Sequence, residues 1–424
     1  GGATTQVLAT VLANGSTTAS LGSSADLTAA NGAVVVTALA GLRGTSDLQG
    51  GAGSIGLATT GLASTVDIRD SVLADVADVA SVDAGALTVS AGTLTAPVGR
   101  VATSTISGGA GALVSVSTVT SRATIQGSSA ARIGAATVRT SGATAVRATS
   151  TGTATVSAAS VSVGVADISK LNAQAQVLDP TGGKATSALL DAGASLDVGS
   201  LAIDAQGQES ATATLDSAGG GGITVATAQV TTRVDTTVSS GISTPSATRG
   251  TNIKAGGDVS VTTHSSRQAT STASRYGGGG LSVTTLTVDS TITGTTTALT
   301  GVSVTIAAHD LTVQALVDGA AATANLVIGT GGVVNVAVAK PTATATPTTT
   351  VALGTGNAIT LTGSLDVRAV GRAEADARGE VYGGGLVSVG VPQAQSTVRP
   401  IVSATVGATT WCSWSTGAGP LGSS

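Results

Sequence analysis

Apolar and polar positions alternate with a period of two along most of the chain, as in Leu365, Val367 and Ala369, or Leu281, Val283, Leu286 and Val288. That period, carried mainly by Val, Thr and Ile, predicts strands almost everywhere. Residues 371–382 divide by parity into Ala373, Ala375, Ala377, Gly379 and Val381 on one side and Arg372, Glu374, Asp376, Arg378, Glu380 and Tyr382 on the other. The small set is expected to face a tight interior and the charged set water. Over residues 71–82 the spacing of Val72, Val76 and Val79 also suits a helix, but the β-branching favours an irregular strand.

The alternation is organised into a repeat of roughly 55 residues. One landmark is a short apolar strand near a glycine: GAVVV from Gly32, GALTV from Gly85, GATAV from Gly142, GSLAI from Gly199, GDVSV from Gly257, HDLTV from His309 and GSLDV from Gly363. Between Leu87, Thr144, Leu201, Val259, Leu311 and Leu365 the intervals are 57, 57, 58, 52 and 54 residues. A second landmark, a glycine cluster running into a strand, recurs at Gly51, Gly108, Gly219, Gly277, Thr330 and Gly383; in the fourth unit VSVGVADI from Val161 replaces it. Units are expected to start near residues 1, 51, 108, 157, 219, 277, 330 and 383, making residues 1–410 one continuous array and 411–424 a tail or cap.

The predicted fold is all-β: a repetitive parallel β-solenoid of about eight units, with an array of antiparallel β-sandwich repeats as the alternative. Two strands per unit suggest two solenoid turns of about 27 residues each, hence about sixteen rungs and a rod near 75 Å long at about 4.8 Å per rung. Glycine clusters are expected at the corners, supplying positive-φ turns and close backbone approach.

Composition narrows the core. Aromatic residues are 1% of the chain, with no Phe and no Met, yet 42% of it is hydrophobic and mean hydropathy is +0.40. A thin column of Ala, Val, Leu and Ile fits this better than a thick globular core. The 15 arginines are scattered singly and the net charge is −4, which gives no basic stripe for nucleic acid. No apolar run approaches the roughly 20 residues of a spanning helix. A chain beginning at Gly1 is expected to be a processed or partial product, and Cys412, the sole cysteine, excludes an internal disulfide framework.

The order GGGLVSVGV, a Thr/Ala-rich strand, a glycine turn, GSLDVRA, then AxAxA into the next glycine cluster resembles the repeats of giant bacterial filamentous surface proteins, the haemagglutinin-like and leukotoxin-like adhesins. The best local matches are residues 329–369 and 375–408, and the chain departs from those repeats in its Ala/Thr enrichment and its few Asn and Lys. The resemblance implies an exported β-solenoid at a bacterial cell surface, acting in adhesion, biofilm or surface structure. It carries over no catalytic residue. The expectation is a structural, non-enzymatic protein without cofactor, whose rods associate head to tail with copies of themselves and touch cell-surface or matrix components. The alternatives are the stalk of an adhesin and, further off, an ice-binding or polysaccharide-active solenoid.

Few side chains suggest chemistry. Asp67, Asp70, Asp75 and Asp78 form the one local acidic cluster, a weak calcium candidate set against a solvated face, since no EF-hand loop or RTX nonapeptide is present. His264 and His309 lack a compact set of further ligands and read as loop residues. The glycine run at 277–280 is followed by no GK[ST], so corner geometry explains it better than phosphate binding. Tyr276 and Tyr382, each just before a glycine cluster, are expected to pack over a corner. Threonine stretches at 291–297 and 342–350 are interrupted, by Pro347 in the second, and read as solvent-facing. Trp411, Cys412 and Trp414 concentrate both tryptophans and the cysteine in the tail, a candidate cap or subunit contact.

Overall fold

The computed structural model describes residues 1–94, 99–243 and 249–407, together with the backbone of Trp411–Trp414. Among these residues there is no helix, and all strands belong to a single sheet whose pairings are parallel throughout. The chain is a parallel β-solenoid, and the antiparallel sandwich does not hold.

The register sets the size of the turn. Gly2 lies under Leu57, Leu57 under Val114, Val114 under Ala166, and the same column continues through Ile223, Leu281, Val334 and Val387. Each step spans one whole repeat unit. The expected two turns of about 27 residues per unit are therefore wrong: both strand landmarks of a unit lie on one coil, on different walls of it. Eight aligned positions at about 4.8 Å give a stack about 38 Å tall, half the expected length, with a coil perimeter near 180 Å.

So long a coil encloses two separate cores. Followed from Leu201, the chain lines the first core with Leu201, Ile203 and Ala205, then the second with Ala211, Ala213 and Leu215. It turns at the glycine cluster 219–222, returns along the second core with Ala228, Val230 and Val234, and re-enters the first with Val238 and Ile242. Ile253 and Ala255 form a third wall of the first core before Gly257 turns the chain into the next coil. The second core is thus a flat lobe of two facing walls, and the first has three. Flatness explains the composition: two sheets that approach closely leave room for Ala, Val and Ser but for no aromatic ring. Ser64, Ser46, Ser104 and Ser121 bridge the two walls by hydroxyl contacts of 2.7–2.8 Å.

At the tip of the flat lobe the glycines form a ladder. A Cβ at Gly164, Gly221, Gly279, Gly332 or Gly385 would stand 2.4, 1.8, 2.1, 1.7 or 1.9 Å from the carbonyl oxygen of the residue one coil earlier. Close approach between coils selects glycine at all five positions; at Gly332 and Gly385 a positive φ, 151° and 157°, which L side chains rarely adopt, selects it as well. The fourth unit lost its cluster but kept Gly164, the one glycine that the ladder requires.

Candidate functional site

Among the described residues the first and last coils each carry one unpaired edge. Gly2–Leu21 pairs with Leu57–Val76 on one edge and with no described residue on the other. Its inward residues Ala9, Val11 and Ala13 lie against the second core, and Ala19 and Leu21 against the first, only partly buried. At the opposite end Val387–Pro392, Gln395–Val398 and Ile401–Val406 likewise pair with described residues on one edge only. Val402 and Val406, in columns that are buried in earlier coils, are 47% and 55% exposed. An unpaired parallel edge over an uncovered core is a template for another strand. The backbone of Trp411–Trp414 pairs with Ala358–Leu361 in that last coil; the side chains of Trp411, Cys412 and Trp414, proposed from sequence as a contact, lie outside the described residues.

The strand that follows the glycine tip is inside out. Ser282 and Thr284 are buried, while Leu281 is 38% exposed and Val283 half-exposed. The same parity holds above and below: Val116, Ile168, Val225, Val283, Val336 and Val389 stack outward as one column, continued by Thr59 and Thr4 in the first two coils, beside Leu57, Val114, Ala166, Ile223, Leu281, Val334 and Val387. The facing wall of the lobe presents threonine instead, in a column of Thr45, Thr103, Thr155, Thr212, Thr270 and Thr323. Behind the aliphatic columns sits polar material. Asp167 and Arg275 are fully buried with Oδ2 and Nη2 3.8 Å apart; burial raises the carboxyl's pKa and lowers the guanidinium's, each opposed by the partner charge. The hydroxyls of Thr224, Ser282 and Thr284 and Nε of Arg275 have no hydrogen-bond partner among the described residues.

A charged seam separates the two cores. One inward column reads Arg100, Gly152, Glu209, Arg267 and Ala320 on successive coils. Arg100 donates to Asp70 Oδ1 at 2.5 Å, to the Ser128 carbonyl at 2.7 Å and to Ser129 Oγ at 3.1 Å. Arg267 donates to the carbonyls of Thr236 and Thr295 at 2.8 and 3.0 Å and to hydroxyls of Thr236, Ser265 and Thr296. Glu209 accepts from Ser150 Oγ at 2.5 Å, and Ser150 in turn accepts from Thr186. Burial pushes the Glu209 carboxyl up to about 7, and lowers Arg267 to about 10. Gly152 makes room for this: a Cβ there would lie 2.4 Å from Glu209 Oε2. No sequence signal short of the register exposes this seam, because its members stand more than 50 residues apart.

The acidic cluster is dispersed. Asp67 pairs with Arg69 at 2.8 Å, Asp70 is inside the seam, and Asp75 and Asp78 join Asp191 around Arg132. The four do not converge, and Asp70 is not on a solvated face. Among the described residues no group of three or more His, Cys, Asp or Glu side chains is placed to hold a metal. His264 lies on the strand Val259–Thr300, not on a loop, with Nδ1 3.7 Å from Asp318; His309, in an exposed bend, contacts Thr362 at 2.8 Å. Tyr276 rests over Gly329 of the next coil, as expected of a corner residue. Thr296 and Thr349, expected toward solvent, point into the interior.

No protein-family model, no curated protein and no solved structure matches this chain.

Proposed function

We propose that this chain is a structural rod, a segment of an extracellular fibre on a bacterial surface that lengthens by end-to-end stacking of β-solenoid coils. The observation that carries the reading is the pair of open end coils, each with unpaired backbone and half-covered core columns. The register between coils predicts how a second copy continues the stack: Gly2 over Val387, with Thr17, Ala19 and Leu21 over Val402, Ala404 and Val406. Ala19 and Leu21 then meet aliphatic residues across the junction and Thr17 meets Val402, and no charge is buried in those three columns. Each fully covered Val or Leu contributes about 1.5–3 kcal/mol, which favours closing both ends.

Cryo-electron microscopy across a concentration series tests this. Continuous fibres with an axial repeat of about 4.8 Å, one solenoid running into the next, are the expected result. Isolated rods about 38 Å tall would overturn self-assembly and favour the stalk of a longer adhesin, whose own neighbouring coils cover the same ends.

A further inference from the structure

The two outward columns beside the glycine tip are aliphatic at both positions on six successive coils, from Val114 and Val116 to Val387 and Val389; the first two coils place Gly2, Thr4, Leu57 and Thr59 there, and none of the sixteen residues is charged. A slip by one residue would bury Leu281 and Val283 and expose Ser282 and Thr284; the fold adopts the opposite arrangement from Val114 to Val389. It is unfavourable twice, because it leaves apolar surface wet and polar groups in the interior. The opposite wall of the same lobe is threonine-coated, so aliphatic exposure is specific to one face.

We infer that this face docks side by side on the same face of a second copy, joining two solenoids laterally. The inference rests on the end-to-end reading above. A partner that keeps contact along the whole stripe must repeat with the coil spacing, and a second copy does. With no charge in the stripe, two copies face each other without a desolvated ion. The aliphatic stripe is about 29 Å by roughly 10 Å, so each rod contributes roughly 300 Å², well under half of what a stable pair of proteins usually buries per partner. Single rods therefore pair weakly, and the contact grows with every copy added end to end. Because the threonine wall offers no second apolar stripe, assembly stops at two.

The test compares wild type with Ile223→Thr/Val225→Thr/Leu281→Thr/Val283→Thr, outward changes that put a β-branched residue at every site and leave the interior untouched. By cryo-electron microscopy the wild type is expected to form fibres two solenoids wide, joined through this face, and the variant fibres one solenoid wide. Single-width wild-type fibres, or a variant that still pairs, overturn lateral docking while the end-to-end reading stands. If neither protein forms fibres, that reading falls and small-angle scattering of rods at millimolar concentration decides the pairing. A cross-section that doubles in wild type and not in the variant keeps it; scattering from single rods in both removes it.

Discussion

Glu209 lies directly beneath Arg267 in one inward column, yet its carboxylate is held by Ser150 at 2.5 Å and makes no ion pair with the arginine, which is itself bound by carbonyls and hydroxyls. The seam thus contains opposite charges that feel each other through the interior without touching. Buried acids in this situation favour the protonated form.

The Glu209 carboxyl is raised from 4.5 to about 7 by burial. A folded pKa above the unfolded one means that its stabilising protonation is fully present below about pH 4.5 and is lost as pH rises through about 7. Glu209→Gln should be nearly neutral at pH 4 and stabilising at pH 8, by at most on the order of 3 kcal/mol. Urea midpoints at the two pH values measure this, and equal shifts at both would contradict it.

Among the described residues Arg100 is the one cation paired with the buried Asp70 carboxylate. Arg100→Met should destabilise by about 3–5 kcal/mol, because it strands a charge in the interior. Adding Asp70→Asn should recover a large part of that loss. A double variant as unstable as the single one would mean that packing, not charge, dominates.

Gly221 and Gly220 are neighbours with opposite tolerance. A methyl group at Gly221 meets the Gly164 oxygen at 1.8 Å, whereas at Gly220 the nearest atom is 3.9 Å away. Gly221→Ala should cost about 1–3 kcal/mol or more by forcing two coils apart, and Gly220→Ala should be close to neutral. Thermal unfolding of the pair reads the contrast.

Ala19 faces inward on the open first coil. Ala19→Lys puts a charge where the next copy must pack, the device by which natural sheets block edge pairing. The substitution should abolish fibres and leave the circular dichroism of the rod unchanged; fibres of undiminished length would remove this end from the junction.

Much of the fold is written in the chain's parity and spacing. Ala373, Ala375, Ala377 and Val381 do face the second core, and Arg372, Glu374, Asp376 and Arg378 do face water. The coil size is not fixed by the pattern alone, because two strands per unit look the same whether they lie on successive coils or on facing walls of one coil. The deciding quantity was the interval between equivalent residues, 52–58, which is the coil itself. The expectation of one period-two run through Leu281, Val283, Leu286 and Val288 fails: the first two have odd parity and the last two even, so the four do not share a face, and the strand turns inside out between the pairs. The seam is not legible in the sequence. Arg100, Glu209 and Arg267 look like scattered surface charges until the register stacks them, and whether a column faces in depends on corners that local pattern does not locate.

Every strand pairing joins residues a single coil apart, wherever in the stack it occurs. The entropy of closing each coil is therefore set by about 55 residues and does not grow with the number of coils already formed. Once one coil is in place, each later one condenses on a finished template at the same cost. Folding can thus advance like a zipper at constant pace, so that a chain of twice this length needs about twice the time rather than a new search.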